Sequence, residues 1–439
     1  MSKQEMFDKF IEAMARFADL KVVGALRDGF IMTTPFTICG SVFLLLANLP
    51  IPGYGDMMAG MFGQQWTVPL YAISGATFDV LGLICAVTIP YKYVEAQECD
   101  AITAATLSLC VFLAVVPATT LAPNGDVVAG VIPKMWAGSN GIITAIIVGL
   151  VTGITCVYCQ VNHLGIKMPP SVPGGVVRAF EALTPGIILF TGAAIVYGIC
   201  YFGLETSFPQ LIFTMIQTPL QGLSDTLIGG SVFVFLMSLL FWAGVHGPNV
   251  VGGVMNPLML ANALENQQIL ESTGRLVYGD PGVHVFTIQI VDVFVKLCGC
   301  GSTGGLLIAS YLVAKSDQMK SITKLATVPG LFNINEPVIF GLPIVFNPFM
   351  IAPFILAPLC ITLIVYFSIA SGFMNPFTAV QIPWTTPVIL SGLLLNGWQG
   401  AVVQIVSLAT ATAIYFPFVK AQDNAYVKEQ EEEAAAEES

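Results

Sequence analysis

Long stretches without charge are the feature that most limits the folds open to this chain. No Asp, Glu, Lys or Arg occurs between Pro337 and Val419, and three further segments are equally uncharged: Met135–Ile166, Ala182–Leu204 and Thr226–Leu264. Charged residues form only 10% of the chain, whereas a soluble domain carries about 25%. Several of these windows exceed the roughly 20 apolar residues that cross a bilayer. We therefore predict an all-α polytopic membrane protein, because a β-barrel would need short alternating segments.

We expect about ten transmembrane helices and two re-entrant hairpins. The predicted spans at 284–298 and 301–315 are short. Residues 326–348 contain four prolines and two glycines, and residues 373–393 contain three prolines. Proline breaks helical hydrogen bonding, and irregular backbone at membrane depth is tolerated only inside protein or beside a wet cavity. We interpret both stretches as re-entrant hairpins whose tips meet in the bundle, the usual place of a transporter binding site.

Basic residues concentrate in alternate loops, which predicts the orientation of the chain. The loops predicted on the opposite side of the membrane lie at 50–66, 119–137 and 205–227. Lys134 is the only basic residue in these three loops. By the positive-inside rule we expect both termini to be cytoplasmic.

The two ends of the chain are polar. Residues 1–27 are charged and amphipathic, so we predict an N-terminal cytoplasmic segment that lies on the membrane surface. Residues 420–439 are rich in glutamate and are expected to form an acidic, disordered cytoplasmic tail. The formal charge of −11 and the lack of a basic stripe disfavour nucleic-acid binding.

Glu336 is an isolated acid in the segment NINEPVIFGLP, residues 333–343, with no basic residue within ten positions. An ionised residue at the centre of a span costs about 2.5–3.5 kcal/mol, and it persists where a cavity or a partner compensates. Pro337 disfavours helix at Glu336. A carboxylate that accepts two hydroxyl protons suits a neutral polyol, so we predict that Glu336 and Asn335 bind the substrate. The alternative is an acid paired with a lysine at a helix end.

His246 lies where the charge-free span in FWAGVHGPN, residues 241–249, is stopped by glycine and proline. The break presents the imidazole and the Asn249 amide at a bend at membrane depth. We predict that both belong to the substrate site, although a lone histidine is often a satisfied core residue.

Three further residues are candidates for the substrate site. Trp384, between two prolines in the second hairpin, is expected to stack on the apolar face of a sugar ring, with an interfacial aromatic belt as the alternative. Asn140 and Ser302 are weaker candidates, because small and amide residues also allow close helix packing.

Other polar residues in the predicted spans have simpler interpretations. Asp292 and Lys296 have the spacing of a helical ion pair. Asp79 is either a coupling acid or a group that hydrogen-bonds between helices, and the sequence leaves both open. The three histidines are too scattered for a metal site, and we expect neither a metal nor a cofactor.

These clusters together resemble a known family. The segments that carry the resemblance are ALRDGF and PFTICGSVFLLLANLP within 25–50, MPPSVPGGVVRAFEALTPG at 168–186, HGPN at 246–249 and NINEPVIFGLP at 333–343. They are similar to the membrane (IIC) component of the bacterial phosphoenolpyruvate-dependent sugar phosphotransferase system, in its lactose, cellobiose and diacetylchitobiose branch.

The resemblance implies a homodimeric permease of the bacterial inner (cytoplasmic) membrane. Residues 28–225 would form a scaffold and dimerisation domain, and residues 226–419 a sugar-binding transport domain. Glu336 and His246 would form the sugar site and are the candidate catalytic residues. The substrate would be a β-linked disaccharide such as cellobiose or diacetylchitobiose. A separate IIB protein would donate phosphate from a phosphocysteine, and since the chain has no Walker motif, it would be a sugar phosphotransferase only with that partner.

Three other functions are open to a chain of this kind. An ion-coupled secondary sugar transporter would use linked intramembrane acids. A membrane enzyme would need a metal or a nucleophile–base pair, and a passive pore would need a charged ring or a filter. We favour the permease, with the ion-coupled transporter as the main alternative.

Overall fold

A computed structural model describes most of the chain. The described residues are 16, 20–47, 49, 53–122, 126–166, 168–169, 172–342 and 344–437. Apart from one antiparallel hairpin, Thr119–Leu121 with Val127–Ala129, the regular structure in these ranges is helical. The all-α prediction is therefore confirmed.

The helices of the described residues are numbered here in chain order. The first ten are α1 Lys21–Ile31, α2 Thr34–Ala47, α3 Tyr54–Phe62, α4 Val68–Phe78, α5 Leu81–Glu95, α6 Ala101–Val115, α7 Lys134–Ala137, α8 Ile142–Val161, α9 Gly174–Glu181 and α10 Leu183–Gly198. The others are α11 Phe208–Ile212, α12 Thr218–Ser224, α13 Leu227–Trp242, α14 Gly247–Thr273, α15 Thr303–Val313, α16 Asp317–Leu331, α17 Glu336–Gly341, α18 Ile351–Ala370 and α19 Leu390–Glu437, which is kinked at Asn396 and Gly397. Short turns of other helix types lie at Ser139–Gly141, Ile199–Gly203, Phe213–Gln217 and Ile290–Val295.

Six helical segments of the described chain are long and apolar enough to cross a membrane. They are Lys21–Ala47, Val68–Glu95, Ser139–Val161, Gly174–Gly203, Ile351–Ala370 and Leu390–Glu432. A seventh candidate is the pair Phe208–Ser224 and Leu227–Trp242, which is bent by 78°. Two more of the predicted spans coincide with the shorter apolar helices α6 and α15.

The segment predicted as a span at 284–298 is not a helix of that length. It contains only the π-helical turn Ile290–Val295. The backbone then takes positive φ at four positions between Cys298 and Ser302, which turns the chain sharply before α15 begins. This stretch is therefore a third irregular segment beside the two predicted hairpins.

Two large clusters of buried apolar side chains form the core of the described residues. One joins α13, the segment 285–297 and the helices from α15 to α19. The other joins helices between α1 and α10. Helix α14 contributes Met259 to the first cluster and Leu260 and Leu264 to the second, so it lies between the two.

Helix α14 runs in the same direction as α1 and α2. Near its start, a Cβ atom on Gly253 would lie 3.4 Å from the Cβ of Arg27 in α1. Near its end, Leu264 lines the same cavity as Leu44 of α2 and Lys134. We call these two levels of the bundle the Arg27 end and the Lys134 end. A helix rises about 1.5 Å per residue, so α14 carries the chain through much of the bilayer thickness.

The C-terminal tail differs from its prediction. Helix α19 continues to Glu437, so the described part of the tail is helical rather than disordered. Alanine and glutamate favour helix, and Asp423 attaches this helix to the bundle: its carboxylate accepts hydrogen bonds from Lys315 N at 2.7 Å, Ser316 N at 3.0 Å and Ser316 Oγ at 2.6 Å. Of the predicted N-terminal segment, residues 1–15 and 17–19 lie outside the described residues.

We expect Asp423→Ala to lower the apparent melting temperature of the purified protein by several degrees. Asp423 is 1% exposed, and removal of an acceptor from buried donors costs about 1–3 kcal/mol. Glu431→Ala, on the exposed side of the same helix, is the control and should melt like the wild type. Equal melting of both variants would show that the tail helix is held by other contacts.

Candidate functional site

The side chain of Asn333 connects two irregular segments of the chain. Its Oδ1 accepts a hydrogen bond from Cys298 N at 2.8 Å. Its Nδ2 donates to the carbonyl oxygens of Trp384 and Thr386. Asn333 itself has φ 62°, a left-handed conformation that asparagine adopts more readily than most residues. One amide therefore holds the loop before α15 and the second predicted hairpin in fixed positions.

Asn335 holds the loop before α15 from a second side. Its Nδ2 donates to Cys300 O at 2.7 Å and to Thr303 Oγ1 at 3.2 Å. A Cβ atom on Gly299 would lie 2.3 Å from Cγ of Asn335, so only glycine allows this approach. The Asn335 N–H groups, which we predicted to bind substrate, are therefore engaged with this loop, and their effect is to fix the backbone next to Glu336.

Glu336 begins α17 immediately after this anchored backbone. Its side chain is exposed, and within the described residues it has no hydrogen bond or ion pair. The structure therefore gives no support to the alternative of an acid paired with a lysine. Both carboxylate oxygens are free to accept hydrogen bonds from a ligand.

His246 caps the start of α14. Its Nδ1 accepts a hydrogen bond from Asn249 N at 3.3 Å, and its ring lies 4.9 Å from that of Phe241, measured between centroids. A neutral imidazole that accepts at Nδ1 carries its proton at Nε2. The exposed ring therefore offers an N–H donor, and Glu336 lies within electrostatic range of it. That this acid and this imidazole belong to one site stays a prediction.

Contacts between α13 and the segment after α17 link the two parts of the chain that carry these residues. Phe346 N donates to Trp242 O at 2.9 Å, and Trp242 Nε1 donates to Asn347 O at 2.8 Å. These bonds fasten the end of α13, four residues before His246, to the chain that follows Glu336.

Two cations that the sequence analysis did not assign to the site also lie within electrostatic range of His246: Arg27 and Lys296. Arg27 binds Asp28 through Nε at 2.7 Å and Nη2 at 3.1 Å. Lys296 pairs with Asp292 at 2.7 Å, which confirms the predicted i,i+4 ion pair. In the sequence, Arg27 stands out only because it forms a charge pair with Asp28 inside the first long apolar span. Its proximity to His246 could not be predicted, because the two residues are more than 200 positions apart.

The other predicted site residues occupy different positions. Trp384 is 52% exposed, with its carbonyl held by Asn333, and the Asn249 side chain is exposed beside His246. Ser302 is fully buried and its hydroxyl donates to Val295 O at 2.7 Å, so it supports the loop internally.

Asn140 lies far from the other site residues. It is in the turn Ser139–Gly141, and Ser139 Oγ contacts Gln268 Nε2 at 3.4 Å. At about 1.5 Å rise per residue along α14, Gln268 is roughly 30 Å from His246. The structure therefore does not bring Asn140 together with Glu336. Asp79, also at the Lys134 end, forms an ion pair with Lys134 at 2.8 Å.

Comparison with known proteins identifies the family. Residues 27–358 match the family model described as "Phosphotransferase system, EIIC". The chain belongs to this EIIC family. It is therefore a multi-pass membrane component of a phosphotransferase system, and the resemblance inferred from the sequence is confirmed.

Related EIIC proteins match this chain over almost its whole length. It is 35% identical to the cellobiose-specific EIIC component of Geobacillus stearothermophilus, over 97% of this chain and 95% of that protein. It is 37% identical to the lichenan permease IIC component of Bacillus subtilis, with the same coverage of 97% and 95%. The crystal structure of ChbC, the IIC component of the N,N'-diacetylchitobiose-specific phosphotransferase system, superposes with a TM-score of 0.91 at 36% identity, over 97% of this chain and 99% of that one.

We expect Asn333→Asp to loosen the second hairpin while it preserves the first contact. Aspartate keeps an acceptor for Cys298 N and tolerates positive φ, but it cannot donate to the carbonyls of Trp384 and Thr386. Amide hydrogen exchange over residues 384–389 should then accelerate by about tenfold or more. Asn249→Asp, which changes an exposed amide, should leave that exchange unaltered, and unaltered exchange in Asn333→Asp would contradict the bridging role.

Proposed function

We propose that this EIIC protein is a sugar permease that binds a β-linked disaccharide at the site formed by Glu336 and His246. In this proposal the sugar is carried inward and is phosphorylated there by a partner IIB protein. The proposal rests on the Glu336 carboxylate, which has no hydrogen bond or ion pair among the described residues, follows the anchored loops and lies within electrostatic range of the His246 imidazole. A carboxylate that accepts and an N–H that donates suit the hydroxyl groups of an uncharged sugar.

Two features support a β-linked disaccharide as the substrate. The similar proteins described above are named for cellobiose, lichenan and diacetylchitobiose. Trp384 is exposed and its backbone carbonyl is held by Asn333, and the flat apolar face of its indole matches the C–H face of a pyranose. Asn335 and Ser302 would then act mainly by positioning Glu336, and Asn249 and Trp384 by direct contact.

The hydrogen bond at Nδ1 of His246 separates the roles of the two polar residues. With its proton at Nε2, the imidazole can donate to a sugar oxygen but has no free lone pair there to remove a proton. Glu336 is then the group that accepts the hydroxyl proton as the sugar oxygen attacks phosphorus. The bond from that oxygen to phosphorus forms, the sulfur–phosphorus bond of the IIB phosphocysteine breaks, and the cysteine leaves as a thiolate.

Arg27 and Lys296 supply positive charge for the transferred phosphoryl group in this proposal. Phosphoryl transfer is accelerated mainly by positioning and by cations that neutralise the phosphoryl oxygens. Both residues are now neutralised by neighbouring acids, Asp28 and Asp292, and both lie within electrostatic range of His246. Arg27 comes from α1, and Lys296 lies just before the loop that Asn335 holds.

The remaining parts of the proposal concern architecture. The two apolar cores support a division near residue 226 into a scaffold, 28–225, and a transport domain, 226–419, with α14 between the cores. Basic residues in alternate loops support a cytoplasmic Arg27 end, where IIB would dock, and cytoplasmic termini. A homodimer in the bacterial cytoplasmic membrane completes the proposed arrangement.

The ion-coupled transporter has less support. It needs an unpaired intramembrane acid besides Glu336, and Asp79 was the candidate. Its ion pair with Lys134 removes that candidate.

We expect Glu336→Gln to bind sugar with less than about a tenfold loss of affinity, because the amide still accepts one hydrogen bond. Phosphorylation by IIB should fall by about 100-fold or more, since the base is lost. Equilibrium binding of radiolabelled cellobiose and diacetylchitobiose, and phosphosugar formation in vesicles with phosphorylated IIB, measure the two effects. Normal phosphorylation by Glu336→Gln would exclude Glu336 as the base.

His246→Asn is expected to show the opposite pattern. Asparagine is a good helix cap, so α14 should still begin normally while the Nε2–H donor is lost. Sugar affinity should fall by about tenfold, and the rate of phosphorylation at saturating sugar should change much less. A large loss of rate with unchanged affinity would assign His246 a catalytic role instead.

Arg27→Gln and Lys296→Gln should each slow phosphosugar formation by about tenfold or more while leaving sugar affinity nearly unchanged. Arg275→Gln is the matched control, because Arg275 also pairs with an acid, Asp280 at 3.3 Å, and follows the far end of α14, away from this site. A loss of sugar affinity equal to the loss of rate would show that these cations act on binding instead.

A further inference from the structure

A large cavity opens at the Lys134 end of the bundle. Its volume is about 760 Å³, and it lies between α2, α4, the segment 134–139 and the last turns of α14. Drug-sized and substrate-sized ligands occupy pockets of about 300–1,000 Å³. The cavity is therefore large enough for a disaccharide.

The cavity wall combines polar side chains and aromatic rings, the two kinds of group that bind sugars. Its polar side chains include Ser74, Asp79, Lys134, Ser139, Gln267, Gln268 and Glu271. They supply carboxylate acceptors, an ammonium donor and two amides that both donate and accept. The rings of Tyr71 and Phe78 add apolar surface to the same wall.

Several of these groups are already positioned by contacts with each other. Lys134 Nζ donates to Asp79 Oδ2 at 2.8 Å, which leaves Asp79 Oδ1 for other donors. Gln267 Nε2 donates to Glu271 Oε1 at 2.8 Å. A Cβ atom on Gly75 would lie 2.9 Å from Asp79 Oδ2, so the absence of a side chain there makes room for the ion pair.

The charges of the wall favour a neutral ligand. Asp79 and Glu271 contribute two negative charges and Lys134 one positive charge, which disfavours anions such as a sugar phosphate. A lipid chain would leave these polar groups without partners, which is costly. A neutral molecule with many hydroxyl groups can donate hydrogen bonds to the carboxylates and accept them from the ammonium group.

The cavity is separate from the Glu336 site. Gln267 and His246 lie on the same helix, and a rise of about 1.5 Å per residue places them roughly 30 Å apart. One disaccharide cannot contact both. The cavity also accounts for two features of the sequence that the Glu336 site does not use, Asp79 and the Ser139–Asn140 turn.

We propose that this Lys134 cavity is a second carbohydrate site, which takes the β-linked disaccharide from the outer side before it reaches Glu336. The inference rests on the proposed function for the identity of the ligand and for the orientation of the chain. The Lys134 end would face the outside, so the cavity is the first polar surface that an incoming sugar meets.

The test counts binding sites with radiolabelled cellobiose and diacetylchitobiose on purified full-length protein in lipid nanodiscs. Ala72 lines the cavity, and Ala72→Trp should fill it. Ile73→Trp is the matched control, because Ile73 is exposed on the same helix and does not line the cavity. We expect two sites per protomer in the wild type and in Ile73→Trp, and one site in Ala72→Trp.

The Glu336 site is counted separately by adding His246→Ala and Glu336→Ala together. That double variant should keep one site, and combining it with Ala72→Trp should leave none. One site in the wild type that the double variant abolishes would overturn the second site and leave the proposed function intact. Two sites that both persist in the double variant would instead overturn the proposed function.

Gln268→Leu keeps the test valid if Ala72→Trp does not fold. Leucine removes the amide with little change in size, and the affinity of the second site should fall by about tenfold. Unchanged affinity at both sites in a folded Gln268→Leu protein would overturn the proposal.

Discussion

The Glu336 site depends on two amide side chains that replace the hydrogen bonds a helix would have made. Backbone polar groups cannot be left unsatisfied inside a membrane. Asn333 and Asn335 satisfy such groups in the loop before α15 and in the second hairpin. Three segments without regular structure thereby become one rigid support. Glu336 is the next residue in the chain after Asn335. The anchored backbone therefore fixes the position of this acid more firmly than a flexible loop would.

In the proposed mechanism, recognition of the sugar and chemistry use different groups. One ring nitrogen of His246, Nδ1, caps α14 by accepting a hydrogen bond, so the other nitrogen, Nε2, can only donate. Glu336 keeps both oxygens free. The nearby cations are neutralised by Asp28 and Asp292, so a neutral sugar meets little net charge from them. These charges fit the proposal that the cargo is uncharged until it is phosphorylated.

The sequence predicted those features that depend on local composition. Uncharged runs predicted the spans, and the isolated acid and the histidine before Gly247 and Pro248 are the basis of the proposed Glu336 site. It failed where distant contacts decide the outcome. Asn140 looked like a pocket residue, but the turn that holds it packs near Gln268 at the other end of α14.

Other differences have the same origin. Residues 284–298 are apolar enough to resemble a span, yet the left-handed backbone from Cys298 onward turns the chain back. The acidic tail has the composition of a disordered segment, yet Asp423 anchors its helix to the loop before α16. Asp79 had no basic neighbour in sequence, and its partner Lys134 comes from a loop more than fifty residues away.

Helix α14 carries a buried proline, Pro257, midway between His246 and Gln267. A proline inside a helix removes one backbone hydrogen bond, so the helix bends most easily at that point. One half of α14 begins at His246 and the other half lines the Lys134 cavity, with Pro257 between them. A molecule that changed the bend from one end would alter the geometry of the other, and thermodynamic reciprocity would require the return influence to be equally strong.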